Sequence, residues 1–141
     1  MIDFAEVNAA IQARMTAQWT ATPISNVAFV NAAFTPPPDG SPWMRLSVVE
    51  RQGQKPIDWK TPETAGQRSY GAIYIVAYVA AGSGDAALEQ LLTAAKTLFE
   101  GVTITTTNYV VRTQSSTFLP AAPEAGWFKK LVMINLWASH I

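Results

Sequence analysis

Few side chains in this sequence are of types that do chemistry, and their spacing does not gather them. The single histidine, His140, stands next to last. A general base or a Ser-His-Asp relay needs a histidine held by buried neighbours, which a chain end is poorly placed to provide. The absence of cysteine excludes disulfides, thiolate nucleophiles and Cys-based metal sites, and leaves the redox compartment open. No cluster of His and carboxylates has metal-ligand spacing, so neither a metal nor a cofactor is expected. Asp58 and Glu63 share a polar loop, but hydrolytic chemistry of the glycosidase type needs two carboxyls facing each other across a cleft. Gly82-Ser83-Gly84 precedes a helix and could present backbone N–H groups to an anion. It lacks the GxxxxGK[ST] pattern, and Ala87 breaks GxGxxG, so it reads as a tight turn. No GxSxG occurs. Catalytic residues: none are expected, and the chain does not read as an enzyme.

The elements that would have to position any site are clear. Tyr70 to Ala81 is almost wholly apolar, the pattern of a strand buried on both faces and central in a sheet. Alternation puts Ile73, Ile75, Ala77 and Val79 on one face and Tyr70, Tyr74, Val76 and Tyr78 on the other. The following helix carries Leu88, Leu91, Leu92, Ala95, Leu98 and Phe99 in one stripe, with Ser83 or Asp85 to cap its start and Gly101 its end. Asp3 to Trp19 reads as a first helix, with Phe4, Val7, Ile11 and Met15 buried. Asp3 with Glu6 resembles a capping box, and Ile2 with Val7 a hydrophobic staple. Thr22-Pro23 ends that helix. Ile24 to Asn31 is expected as a short strand, and Trp43 to Glu50 as a longer one with Met44, Leu46 and Val48 inward. Between them, TPPPDGSP, Thr35 to Pro42, is a stiff loop turning at Asp39-Gly40. Gln52 to Gln67 is a polar loop of a length that is usually functional or mobile in a compact domain. Val102 to Gln114 suits one strand or two, broken at Thr107-Asn108; Leu119 to Gly126 is a loop; Trp127 to Ala138 is the closing strand. The order predicts a single domain, 1–141, of class α+β, with a mainly antiparallel sheet and two helices packed on one face.

Charged residues make up only 14% of the 141 residues while hydrophobic ones make up 49%, against roughly a quarter charged in ordinary globular chains. Ten Lys+Arg balance ten Asp+Glu, so no net field favours nucleic acid or an anionic membrane. Arg45, Arg51, Lys55, Lys60 and Arg68 give the middle third a mild basic bias that Glu50, Asp58 and Glu63 dilute. Lys129-Lys130 reads as protection of a sheet edge. No basic, apolar leader opens the sequence and no stretch reaches the length of a membrane span, so a soluble domain made inside the cell is expected.

With helices on one face, the other face of the sheet would show Tyr70, Tyr74, Tyr78, Trp127, Leu131, Met133 and Trp137. Monomers rarely expose such a patch, and Tyr, Trp and Met are enriched at interfaces. Candidate interface residues are therefore Trp43, Trp59, Tyr74, Tyr78, Trp127, Met133 and Trp137. The alternative is that loops fold over this face, or that the face assignment slips by one residue. Trp43 and Trp59 either anchor a partner or tuck back on their own domain.

Taken in order, the leading helix, TPPPDGSPWMRLSVVE, the long apolar strand, the LEQLLTAAKTLFEG helix and the closing GWFKKLVMINLWA resemble the tail terminator (tail completion) proteins of long-tailed bacteriophages. The similarity spans most of the chain in order and character, without a catalytic signature; the loop Gln52 to Gln67 matches no pattern of the family. The resemblance implies a structural virion protein at the head-proximal end of the tail. It implies a homo-oligomer, a hexameric ring on the tail tube protein, which stops tube polymerisation and meets head-completion or neck proteins, with DNA passing through the lumen. A neck or head–tail joining protein of the same build is the neighbouring reading. A small-ligand-binding domain or enzyme using a cleft between the helices and the proline-rich loops is a third.

Overall fold

A computed structural model of the chain describes residues 3–30, 32–51 and 68–141. Helix α1 (Phe4–Gln18) leads through a 3-10 turn at Ile24–Asn26 to β1 (Val27–Phe29), β2 (Trp43–Arg51), β3 (Arg68–Ala80), helix α2 (Ala86–Phe99), β4 (Thr103–Thr105), β5 (Tyr109–Pro120) and β6 (Trp127–His140). The strands form one six-stranded sheet in the order β1-β2-β3-β6-β5-β4.

The expectation of a mainly antiparallel sheet is corrected: the sheet is mixed. β1 pairs parallel with β2, Val27 opposite Met44 and Phe29 opposite Leu46, while the other neighbours are antiparallel. Neighbouring parallel strands need a chain return between them, and the proline-rich segment supplies it. Prolines hold that segment extended where a hairpin would otherwise turn, and Gly40 closes it with a positive φ of 79°. The α+β class holds, and both helices lie on one face.

That helix-covered face is the core. Val7, Ile11 and Met15 of α1, and the α2 stripe Leu88, Leu91, Leu92, Ala95, Leu98 and Phe99, pack with Met44, Leu46, Ile73, Ile75, Val79, Val132, Ile134 and Leu136 in one cluster. β3 is buried on this face because it is the third strand of six, as its unbroken apolar run implies. Gly71 lets α1 sit down on the strand: a Cβ there would lie 2.9 Å from the Phe4 ring and 2.7 Å from the Val49 carbonyl oxygen. Two polar ties lock the helices. Arg14 Nε donates to the Leu98 carbonyl at the end of α2, 2.9 Å away. The buried Thr113 hydroxyl donates to the Phe99 carbonyl and accepts from the Val102 N–H.

Local expectations shift where tertiary partners intervene. Asp3 caps α1, its carboxylate accepting from the Ala5 N–H at 2.9 Å. Glu6 does not complete a capping box; its carboxylate accepts from Thr106 and Asn108, and the Asp3 N–H goes to the Tyr109 hydroxyl. Asp85 starts α2 without a side-chain cap, and Gly101, at φ 66°, closes it. β5 runs on to Pro120, into the expected loop. Lys129 and Lys130 do not guard an edge: β6 is an inner strand, and the two lysines pair with Glu124 at 2.8 Å and Glu89 at 2.7 Å. No helix among the described residues is long and apolar enough to cross a membrane.

Candidate functional site

Among the described residues the opposite face of the sheet carries no helix, and alternation along each strand decides what it shows. At one end, aromatic residues close on one another. Trp43 and Tyr78 are register partners on β2 and β3 and stack with ring centroids 3.8 Å apart and planes 2° from parallel. Phe34, from the proline-rich segment, lies 5.0 Å from Trp43, and Trp127 meets it edge-on at 5.9 Å. Trp43 is left 3% exposed and Tyr78 2%. Burial raises the Tyr78 phenol above its ordinary 10.0; Glu124 adds to the rise, and Arg45 and Lys129 oppose it. The Trp43 indole N–H is buried without a partner among the described residues.

The middle of this face is half-exposed: Tyr74, Val76, Leu131 and Met133, with Val49 46% and Leu119 38% exposed beside them. The far end is an arginine cluster. Arg51, Tyr70, Trp137 and Arg112 are successive register partners across β2, β3, β6 and β5. The Arg68 guanidinium stands 4.2 Å, and that of Arg112 5.3 Å, from the Trp137 ring centroid, within cation–π range. Arg51 Nη2 reaches the Met133 sulfur at 3.1 Å. A small cavity of about 190 Å³ lies beside it, lined by Arg51, Tyr70, Gly71, Gln114, Asn135 and Leu136, next to the register shift between Thr113 and Ser116. The Asn135 side-chain oxygen is buried there without a partner among the described residues.

The sequence-predicted residues are thus divided. Trp43, Tyr78 and Trp127 meet in the aromatic end, where Trp43 and Tyr78 are covered by their own chain. Tyr74, Met133 and Trp137 share the accessible part of the face. Trp59 and the Gln52 to Gln67 loop lie outside the described residues. The arginines were missed as a group: Arg112 lies far along the chain from Arg51 and Arg68, and only strand pairing unites them.

Among the described residues no group of His, Cys, Asp and Glu could hold a metal. Gly82 and Gly84 adopt positive φ, 87° and 84°, as the strand-to-helix turn requires. A groove of about 660 Å³ lies between α1 and α2, lined by Arg14, Trp19, Glu89, Ala94 and Leu98 among others; no described residue of the proline-rich loops lines it, so it is not the expected cleft between helices and those loops.

The fold is a two-layer α+β domain in which, among the described residues, helices cover one face of the sheet only. The sequence matches the phage tail terminator protein family over residues 6–135, and the chain belongs to that family. This makes it a phage tail protein with a structural role. Curated proteins give no match. A solved structure aligns over 100% of this chain and 97% of its own, with a TM-score of 0.67 at 19% identity, a likeness of fold.

Proposed function

We propose that this chain forms a ring of identical subunits, six as the resemblance implies, on the head-proximal end of the tail tube. The ring ends tube polymerisation and presents a surface to head-completion or neck proteins, while DNA passes through its lumen. Assembly takes place in the cytoplasm of the host bacterium. The observation that carries this reading, beyond family membership, is the uncovered sheet face. Its middle presents Tyr74, Val76, Leu131 and Met133 half-buried beside Trp137, with Val49 and Leu119 exposed next to them, a run of apolar side chains that suits a contact surface. Tyr74, Met133 and Trp137 are the interface residues this face offers.

Light scattering across a concentration series, with negative-stain images of the same samples, tests the ring; closed rings are expected as concentration rises. Deleting the gene in the phage tests the role. Overlong tails without heads are expected, whereas normal-length unattached tails would transfer the chain to the neck.

A further inference from the structure

One edge of the sheet is longer than its edge strand. β1 and β4 stand at the two ends of the strand order and have three residues each, short edges of the kind that resist pairing with another chain. β4 covers β5 only from Val110 to Arg112. β5 runs on to Pro120, its inner side paired with β6 from Ser116 to Pro120. Among the described residues no strand lies along the outer side of that stretch. Phe118 and Leu119, which stand on it, are 43% and 38% exposed. An open edge flanked by exposed apolar side chains is a template for a further strand. Residues 52–67 join β2 to β3 at the other end of the sheet, where Arg51 shares a row with Arg112 and Arg68 shares one with Val110.

The backbone donors of this stretch are dealt with one by one. The Ser116 N–H points outward and donates to the Glu100 carboxylate at 2.9 Å, and the Ser116 hydroxyl donates to the same oxygen. Alternation turns the Phe118 N–H the same way, and two residues further comes Pro120, which has no N–H to offer. One outward donor is thus occupied and one is missing, which leaves that of Phe118 between them. Glu100 is held in place by the end of α2, where its own N–H closes the helix on the Lys96 carbonyl at 2.8 Å. The Ser116 hydroxyl above all, then the Ser116 N–H and the Lys96 ammonium, hold the carboxyl below its ordinary 4.5 against a cost of desolvation.

The strand best matched to this edge is the same strand of a second copy. Two β5 strands paired antiparallel about a two-fold axis at Phe118 would exchange hydrogen bonds at Phe118 and set each Ser116 N–H against the Pro120 carbonyl of the other copy. Glu100 already fills the Ser116 donor. Its charge would also meet the same charge brought in by the second copy, and like charges across an interface are unfavourable. We propose that Glu100 is a guard on the sheet edge: it keeps β5 from pairing with β5 of another copy, and its removal opens a strand-addition site from Ser116 to Pro120. This contact joins identical patches, so it is independent of the ring reading and stands or falls apart from it.

The test is cross-linking of the full chain. The sequence has no cysteine, so Phe118→Cys places a single thiol at the centre of the pairing. Under mild oxidation F118C alone is expected to stay uncross-linked on a non-reducing gel. E100A/F118C is expected to give about tenfold more disulfide-linked dimer, the effect of freeing one backbone hydrogen bond per strand. E100Q/F118C is expected to stay close to F118C, because the amide oxygen still accepts from the Ser116 N–H. Adding Ser116→Pro to E100A/F118C deletes the freed donor without touching a bond to β6, and is expected to return the dimer to the F118C level. Each change at position 100 keeps the backbone bond to the Lys96 carbonyl, and circular dichroism confirms the native fold before cross-linking is read. Equal cross-linking of F118C and E100A/F118C, at any level, overturns the proposal. A dimer that survives Ser116→Pro overturns it as well, since it would come from thiols meeting without strand pairing. Cross-linking of E100Q/F118C as complete as that of E100A/F118C overturns the occupied donor as the cause and leaves charge alone.

Discussion

The two ends of the uncovered sheet face are built from the same residue types to opposite effect. At one end Trp43 stacks on Tyr78, and Phe34 and Trp127 close over them, so the aromatic surface is spent inside the chain. At the other end Trp137 is flanked by Arg68 and Arg112 and stays half-exposed. The difference comes from what else the topology brings. The proline-rich crossover passes over the first end and delivers Phe34. The second end receives guanidiniums, which stack on an indole yet remain hydrated and seek anions. An aromatic residue on a bare sheet face is therefore core or contact according to its neighbours, and its own type does not say which.

Substitutions can break or sharpen that contrast. The reference is the helix-covered face, on which both ends depend. Ile75→Asp puts an unpaired charge at a position that is 0% exposed; no cooperative unfolding transition is expected by circular dichroism. Next in size, Trp43→Ala empties the aromatic end and is expected to cost about 3–5 kcal/mol in chemical denaturation. The matching Trp137→Ala is expected to cost about 1 kcal/mol or less while reducing assembly in light scattering. Equal stability losses for the two tryptophans would erase the distinction between the ends. Between these, Gly71→Ala forces a methyl to within 2.7 Å of the Val49 carbonyl and into Phe4, and a loss of about 1–3 kcal/mol is expected.

The smallest effect is one of pH, and it lies away from both ends. Glu100 accepts hydrogen bonds from the Ser116 hydroxyl and from its N–H, which hold the carboxyl below its ordinary 4.5. A lowered carboxyl contributes stability above its unfolded value, lost as pH falls from about 4.5 through the folded value. Glu100→Gln should flatten the acid side of the stability profile slightly and leave the neutral side almost level.

Much of the architecture was legible along the chain. The stripe Leu88, Leu91, Leu92, Ala95, Leu98 and Phe99 is the buried face of α2, and Ile73, Ile75, Ala77 and Val79 are its floor, because each periodicity allows one burial solution. The division of Trp127, Met133 and Trp137 from Val132, Ile134 and Leu136 also follows from alternation. The mixed sheet was not legible. A proline-rich segment is equally compatible with a wide loop between antiparallel strands and with a return between parallel ones. The inner position of β6 misled the reading of Lys129-Lys130, since edge and centre differ only in what pairs alongside.

By itself, the sequence determined which residues face which side of each element, and which of them form the buried stripe of α2. Those are local properties, set by the repeat of helix and strand and by residue type. Only the tertiary structure decided that Trp43 is core while Trp137 is surface, and that Arg51, Arg68 and Arg112 stand together. Such neighbourhoods arise from strand order and register between distant segments, and backbone hydrogen bonding is indifferent to the side chains it brings side by side.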